Sequence, residues 1–491
     1  MSLHGSRIRL TLLLVSLALI LTPVSSLRAD TPRSTDAAQR TDQERPNVVL
    51  ILSDDQAWTD YGFMGHPRIR TPHLDRLASQ SAVFPWAHVP TALCRPSLAT
   101  IVTGLYPHQH GIVGNDPMPP DPAAKDAKDP EADAAYARLR ERLIAKTDGL
   151  PTLPRRLAEH GYACFQAGKW WEGSWRRGGF TEGMTRGFPE PGGRHGDDGL
   201  AIGRQGLQPV RDFIHRSVAD GQPFFVWYAP MLPHSPHDPP ERLLARHAVE
   251  GQPTPVARYH AMCEWFDETC GELLGILDKE GVADSTIVVY TGDNGWLQDP
   301  GSSGYRLRSK QSPYETGVRQ PLLVRWPKVI EAGQQEDVVS TLDLLPTLLE
   351  ATGAARVDGL PGQSLLPLLR DRQPLAREAI FGEGYAHDVA DLDRTERSLL
   401  YRWVIEGRWK LLLTYDGVVV RDADQHSREE RGPQLYDLQA DPFERRNLAP
   451  RHPEVTRRLT QRLERWWPVR ETRLLSELPK PADTQVQKAN P

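Results

Sequence analysis

The feature that most constrains this fold is a repeated unit, a short apolar run ending in a cluster of polar residues or glycine. Residues 48–52 run into Ser53-Asp54-Asp55, and 162–167 into Gly168-Lys169. Residues 224–229 run into Pro230 and then Pro233-His234-Ser235-Pro236-His237, and 287–290 into Thr291-Gly292-Asp293-Asn294-Gly295. Continuous rather than alternating apolar runs suit strands buried on both faces of a parallel sheet. Helix-like stretches lie between them, at 71–79, 153–160, 209–217 and 258–279. This alternation predicts a doubly wound α/β domain. In such sheets ligands bind beyond the carboxyl ends of the strands, so polar residues far apart in sequence can meet at one edge.

The last hundred residues follow another pattern. Residues 402–405 and 409–413 flank Glu406-Gly407-Arg408, a hairpin turn, and 434–438 adds a short strand. Pro453 precedes a helix with Val455, Leu459, Leu463 and Trp466 on one face. We therefore expect an α/β domain over 45–374 and a smaller antiparallel α+β subdomain over 375–470. The segment 119–146, rich in Ala, Asp, Arg and Lys, reads as a solvated helical insertion. A length of 491 residues accommodates this division. A net charge of −5 argues against a general nucleic-acid-binding surface.

Residues 1–30 read as an export signal. Arg7 and Arg9 precede a stretch, 10–21, that is apolar except for Thr11 and Ser16, and small residues follow at Ser25, Ser26 and Ala29. The stretch falls short of the roughly 20 apolar residues a spanning helix needs. An exported protein, periplasmic or extracellular and without a stable membrane anchor, is the expectation. Residues 31–44 read as a linker and 471–491 as a tail, disordered beyond Pro479.

Asp54-Asp55 and Asp293-Asn294 carry hard oxygen donors on short stems, which suit calcium or magnesium. Two adjacent carboxylates repel, and a divalent cation relieves that. Either pair alone is more simply a helix cap or a solvated turn. With two such pairs after two core strands, both readings stay open.

The segment Thr91-Ala92-Leu93-Cys94-Arg95-Pro96-Ser97-Leu98-Ala99-Thr100 puts Cys94 at the start of a helix. Pro96 fits an early helical position, and Leu98, Ile101, Val102 and Leu105 are spaced for burial. The free N–H groups at such a terminus favour an anion. A lone free cysteine is otherwise inert packing, our reading of Cys164, Cys263 and Cys270. Cys263 and Cys270 lie seven residues apart in one helix-like stretch, poorly suited to a disulfide.

Cys94-Arg95-Pro96-Ser97 followed by Thr103-Gly104 resembles the signature of the type I sulfatases, in which the cysteine is oxidised to formylglycine. Further matches are Pro46-Asn47-Val48-Val49 leading to Asp54-Asp55, Gly168-Lys169-Trp170, Pro233-His234 and Gly292-Asp293-Asn294-Gly295. Lys310 and Tyr314-Glu315-Thr316-Gly317-Val318-Arg319 follow. Leu435-Tyr436-Asp437-Leu438, Asp441-Pro442 and Asn447-Leu448 are similar to the family's C-terminal subdomain. The resemblance spans about 45–465. It implies an alkaline-phosphatase-like fold, with a large mixed, mostly parallel sheet and a smaller C-terminal antiparallel subdomain.

By resemblance, Asp54, Asp55, Asp293, Asn294 and the formylglycine made from Cys94 hold one divalent cation, calcium or alternatively magnesium. One hydroxyl of the hydrated aldehyde attacks sulfur and expels the alcohol. The other loses its proton, the aldehyde re-forms and sulfate leaves, which a serine ester could not do. Lys169 and Lys310 match the lysines that steady the sulfate's charge, and His234 matches the histidine that protonates the departing alcohol. The implied activity is sulfuric ester hydrolysis of an arylsulfatase-like kind, on a sulfated small molecule or glycan, after action of a formylglycine-generating maturation enzyme. His237 is a candidate either for touching substrate or for a structural role, and His108 and His110 for orienting the helix end. Trp170, Trp171 and Trp175 either line a sugar platform or pack in the core.

Two positions depart from the family pattern. Leu98 stands where arginine is usual and Trp171 where histidine is usual. Arg95 and the Trp171 indole N–H are the groups that could compensate. The competing readings are a phosphomonoester or phosphodiester hydrolase of the alkaline phosphatase superfamily and a non-catalytic anion-binding relative.

Overall fold

Nine strands form the large sheet of this computed structural model, which describes residues 45–120, 130–426 and 430–479. From one edge to the other they are Val339–Ser340, Ala82–His88, Arg319–Arg325, Thr286–Gly292, Asn47–Ser53, Phe224–Ala229, Ala163–Gly168 and Glu182–Gly183, with Gly333–Gln334 pairing along Ala82–His88. The strands from Thr286–Gly292 to Glu182–Gly183 run parallel, and Arg319–Arg325 runs against both its neighbours. The sheet is mixed and mostly parallel, as the apolar runs predict.

Register decides what the sheet edge carries. Ser53 pairs with Gly292, and Gly168 with Ala229. Asp54, Lys169, Pro230 and Asp293 therefore leave the sheet side by side. Gly168 is required at its turn: its φ is +99°, and a Cβ there would meet the Ala229 carbonyl oxygen at 2.1 Å. That close approach lets the Lys169 N–H donate to the same carbonyl at 2.6 Å.

Alternate residues of the central strand enter opposite cores, as a strand's period of two dictates. Val48, Leu50 and Leu52 pack with Cys94, Leu98, Ile101 and Val102 on one side. Val49 and Ile51 pack with residues of the helices Gln208–Ala219 and Thr254–Lys279 on the other. Each fully buried aliphatic side chain contributes about 1.5–3 kcal/mol, so the strand carrying Asp54-Asp55 is held from both faces.

A second, antiparallel sheet joins Ile380–Tyr385, Leu399–Glu406, Trp409–Thr414 and Gln434–Asp437. Its expected hairpin turns at Gly407, φ +57°. The helix Pro453–Trp466 buries Leu459 and Leu463 fully against the sheet, while Val455 and Trp466 are half-buried. Lys410 reaches back to Glu315 at 2.9 Å and Glu444 at 3.0 Å, and Glu315 also meets His88 at 3.1 Å.

Several expectations need correction. Helix Cys94–Thr103 ends at Gly104 in the left-handed conformation, so Leu105 lies beyond it and is only half-buried. The insertion does form a helix, Pro130–Ala145, yet Leu143 and Ile144 are buried and Arg140 pairs with Asp116 at 3.2 Å, so it is not simply solvated. The described part of the tail is anchored: Leu474 bridges to Tyr415, and Leu475 is buried. The export signal, the linker and residues 480–491 lie outside the described residues. Among the described residues no helix is long and apolar enough to cross a membrane.

Candidate active site

The central strand delivers Asp54 and Asp55, and Asp55 takes a left-handed backbone, φ +64°, that turns it back over the strand end. Thr286–Gly292 delivers Asp293 and Asn294 beside them. The Asp55 N–H donates to Asp293 Oδ1 at 3.1 Å, and Asn294 Nδ2 donates to Asp55 Oδ1 at 2.7 Å. Asp54, Asp55 and Asp293 each bring one oxygen to within 4.8 Å of the others.

Cys94 opens its helix against this group, with Sγ 3.9 Å from Asp54 Oδ1. Ser97, one turn on, donates to the Asp293 carbonyl at 2.5 Å and ties helix to strand. Lys169 Nζ donates to both Asp54 oxygens at 2.8 Å, and Lys310 Nζ donates to Asp55 at 2.7 Å. His234 Nε2 lies 3.4 Å from Asp55 Oδ2, while its Nδ1–H donates to the Ser235 carbonyl at 2.6 Å. Every residue assigned to the site by sequence thus meets in one place.

Charge explains the protonation of the group. Burial alone would raise the Asp54 carboxyl, but Lys169, His234 and Lys310 hold it well below the usual carboxylate range. Burial, with Asp54 and Asp55 beside it, pushes Asp293 well above that range. Burial also pushes the Cys94 thiol up to about 12 and His234 down from its ordinary value. Three carboxyl groups face two ammonium groups, and Asp293 is the one whose ionisation the group disfavours. Asp293 Oδ2 and Asn294 Oδ1 are buried with no hydrogen-bond partner among the described residues. Orphaned hard oxygens beside clustered carboxylates fit a divalent cation.

The two departures also have a structural reading. Leu98 and Trp171 are both buried in the core shared with Cys94, and together they line a small space along the helix that Cys94 opens. Arg95 does not compensate, because its guanidinium is spent on Glu172 at 2.6 and 2.8 Å and on the Asn115 carbonyl at 3.2 Å. The Trp171 Nε1 is buried without a hydrogen-bond partner among the described residues. Trp170 and Trp171 are core residues rather than an open sugar platform, and Trp175 packs half-buried against the same core. His237 is buried against Tyr259 and Trp296, and neither ring nitrogen has a hydrogen-bond partner among the described residues. His110 binds Thr100, and His108 binds Glu383, so both brace the helix end. All four cysteines are free.

Sequence reasoning missed the loop that carries Arg194 and His195. The His195 carbonyl accepts from the Trp170 N–H at 3.1 Å, and its ring meets Trp171 edge-on at 5.2 Å. Loop residues without a periodic pattern leave no signal of this kind in one sequence.

A mixed sheet whose strand ends gather clustered carboxylates, two lysines, a histidine and a helix-opening cysteine defines a hydrolase built around an anionic ester. More narrowly, the chain belongs to the sulfatase family: the family model "Sulfatase" matches residues 46–354, and "N-sulphoglucosamine sulphohydrolase, C-terminal" matches 304–467. It is a sulfatase, similar to N-acetylgalactosamine-6-sulfatase of Sus scrofa (28% identical, covering 82% of this chain and 81% of the relative). Human arylsulfatase A is 29% identical over 85% of this chain and 86% of its own, and N-acetylgalactosamine-6-O-sulfatase of Bacteroides thetaiotaomicron 25% over 86% and 93%. Among solved structures, Ps i-CgsB has a TM-score of 0.66 at 22% identity, covering 87% of this chain and 94% of its own. The structure of BT4656 in complex with its substrate D-glucosamine-2-N,6-O-disulfate has a TM-score of 0.64 at 20% identity, covering 86% and 97%. Phosphonate monoester hydrolase of Agrobacterium radiobacter shares the fold at 0.62 and 18%, covering 88% and 97%.

Proposed function

We propose that this chain removes sulfate from a sulfated carbohydrate, with Cys94, matured to formylglycine, as nucleophile and Asp54, Asp55, Asp293 and Asn294 as the holders of one calcium or magnesium ion. The observation that carries the reading is the convergence of the Cys94 sulfur, the carboxylates and both lysine ammoniums at one sheet edge. When present, the cation supplies charge stabilisation to the ester oxygens, and the formylglycine supplies a nucleophile that can release sulfate without water attacking sulfur.

The chain's own groups do the rest. Lys169 and Lys310 are buried cations that need no reorganisation as negative charge moves toward the leaving oxygen. Holding them against Asp54 and Asp55 keeps both charged: burial opposes their charge, and the carboxylates overcome it and raise both above the ordinary lysine value. His234 gives its Nδ1–H to the Ser235 carbonyl, which leaves Nε2 facing the site; in the doubly protonated ring, which Asp54 and Asp55 favour against burial, Nε2 holds the proton that the departing alcohol takes. Leu98 and Trp171 are buried in the same cluster as Cys94 and contribute packing rather than polar groups there.

The names of relatives that act on sulfated sugars support a carbohydrate substrate. Export to the periplasm or outside the cell, action of a maturation enzyme on Cys94, and a division into a catalytic part, 45–374, and a C-terminal subdomain, 375–470, belong to the same proposal. The test is to coexpress the chain with a maturation enzyme, weigh the Cys94 peptide, and assay aryl sulfate and aryl phosphate esters in parallel. The aldehyde mass together with preferential sulfate release is expected. An unmodified thiol with preferential phosphate release would overturn the proposal.

A further inference from the structure

Beside the sulfate pocket lies a group of cations that the proposed mechanism does not use. The Trp171 indole joins the two: Lys169 Nζ stands 5.9 Å from its ring centre and the Arg194 guanidinium 4.8 Å. Arg194 Nε donates to Asp116 at 2.9 Å, and its Nη2 donates there too, whereas Nη1 has no protein partner among the described residues. The Arg194 side chain is 31% exposed, while Asp116 beneath it is 5% exposed. The guanidinium is thus fixed along one edge and open along the other.

Asp116 receives Arg140 at 3.2 Å and Arg421 at 3.7 Å besides Arg194, and Arg421 also reaches Asp388 at 3.7 Å. Asp388 already accepts from His387 at 2.6 Å. With Asp422, which meets Arg421 at 3.8 Å, three guanidinium groups face three carboxylates, so arginines rather than a metal ion answer the clustered Asp116, His387 and Asp388, and the open edge of Arg194 is what remains for an anion. His195, next in the chain, has its Nδ1 buried without a hydrogen-bond partner among the described residues. The loop is held in place through the Trp170 bond to the His195 carbonyl, so these groups meet a ligand already ordered.

We propose that Arg194 and His195 form a second anion subsite next to the sulfate pocket, which takes a further sulfate or carboxylate on the same sugar or its neighbour. The substrate class is then a glycan bearing more than one negative group, read by the fixed guanidinium. The inference rests on the sulfatase reading for the first anion.

Binding separates the two. Isothermal titration calorimetry with the full Cys94→Ala chain in calcium buffer compares N-acetylglucosamine 6-sulfate, glucosamine 2-N,6-O-disulfate and a 6-sulfated disaccharide that carries a uronate. At least one dianionic ligand is expected to bind about tenfold more tightly than the monosulfate. Arg194→Ala should erase that difference. Asp116→Asn should keep or enlarge it, because the guanidinium loses a competitor. A merely structural Arg194–Asp116 pair would make both variants weaken all ligands alike, and that result overturns the subsite. Monosulfate binding with no preference among the three also overturns it, while leaving the sulfatase reading intact. If no sulfated ligand binds, both fall together.

Discussion

Lys310 and Asp55 stand 255 residues apart in the chain, and the Lys310 ammonium meets the Asp55 carboxylate at 2.7 Å, both buried. The Lys169–Asp54 pair repeats the relationship from the other side at 2.8 Å. Two of the three acids proposed to hold the metal ion, Asp54 and Asp55, therefore also fix an ammonium group proposed to hold the ester. Loss of either partner leaves a buried charge uncompensated, which costs about 3–5 kcal/mol.

Lys310→Ala is expected to lower kcat/KM for an aryl sulfate by about 10²–10³-fold and to lower stability in urea denaturation. An ordinary surface lysine would change neither, so a neutral result removes Lys310 from the site.

Cys94→Ala should reduce sulfate release on the order of 10³-fold or more. Its buried position, packed against aliphatic neighbours, accepts the smaller side chain, so circular dichroism should report a folded chain. Activity close to that of the parent would show that the nucleophile lies elsewhere.

Burial and Asp54 disfavour the ionised form of Asp293, so Asp293→Asn should have opposite effects with and without a cation. In chelator the variant should melt higher than the parent near neutral pH, because the unfolded chain no longer gains from ionising a carboxyl group that the fold keeps neutral. On addition of calcium the parent should rise by up to about 2.7 kcal/mol at a hundredfold excess over Kd, and the variant much less. Equal calcium shifts would argue that Asp293 is not a ligand.

His110 is neutral in the fold, because burial first and His108 second push its pKa down to about 3. Its Nδ1 accepts from the Ile112 N–H at 3.1 Å, which requires the unprotonated nitrogen. The unfolded chain binds this proton near pH 6.5. Stability from His110 is therefore complete above about 6.5 and is lost as pH falls toward about 3. Urea denaturation at pH 7.5 and 5.0 should show a smaller difference for His110→Gln than for the parent. An unchanged difference would mean that other groups carry the acid sensitivity.

The apolar runs ending in Asp54-Asp55, Gly168-Lys169 and Asp293-Asn294 made the parallel centre of the sheet legible, because a strand buried on both faces must be apolar throughout. Strands Ala82–His88 and Arg319–Arg325 were not legible in the same way. Pro85 breaks the first run, where the register also shifts between Phe84 and Ala87, and Pro321 and two arginines disguise the second. Arg95 illustrates the limit for the site. Its position beside Cys94 suggests a role there, but Glu172, on the strand-end loop after Lys169, claims its guanidinium.

By itself the sequence determined which residue types leave the strand ends and that they leave from one class of fold, since periodicity and order are local properties of a chain. The folded arrangement settled which carboxylate each lysine holds, which carboxyl group resists ionisation, and that Lys169 and Arg194 both stand against the Trp171 ring. Those are properties of distance and burial, and Coulomb energy depends on separation in space and on the surrounding medium rather than on separation along the chain.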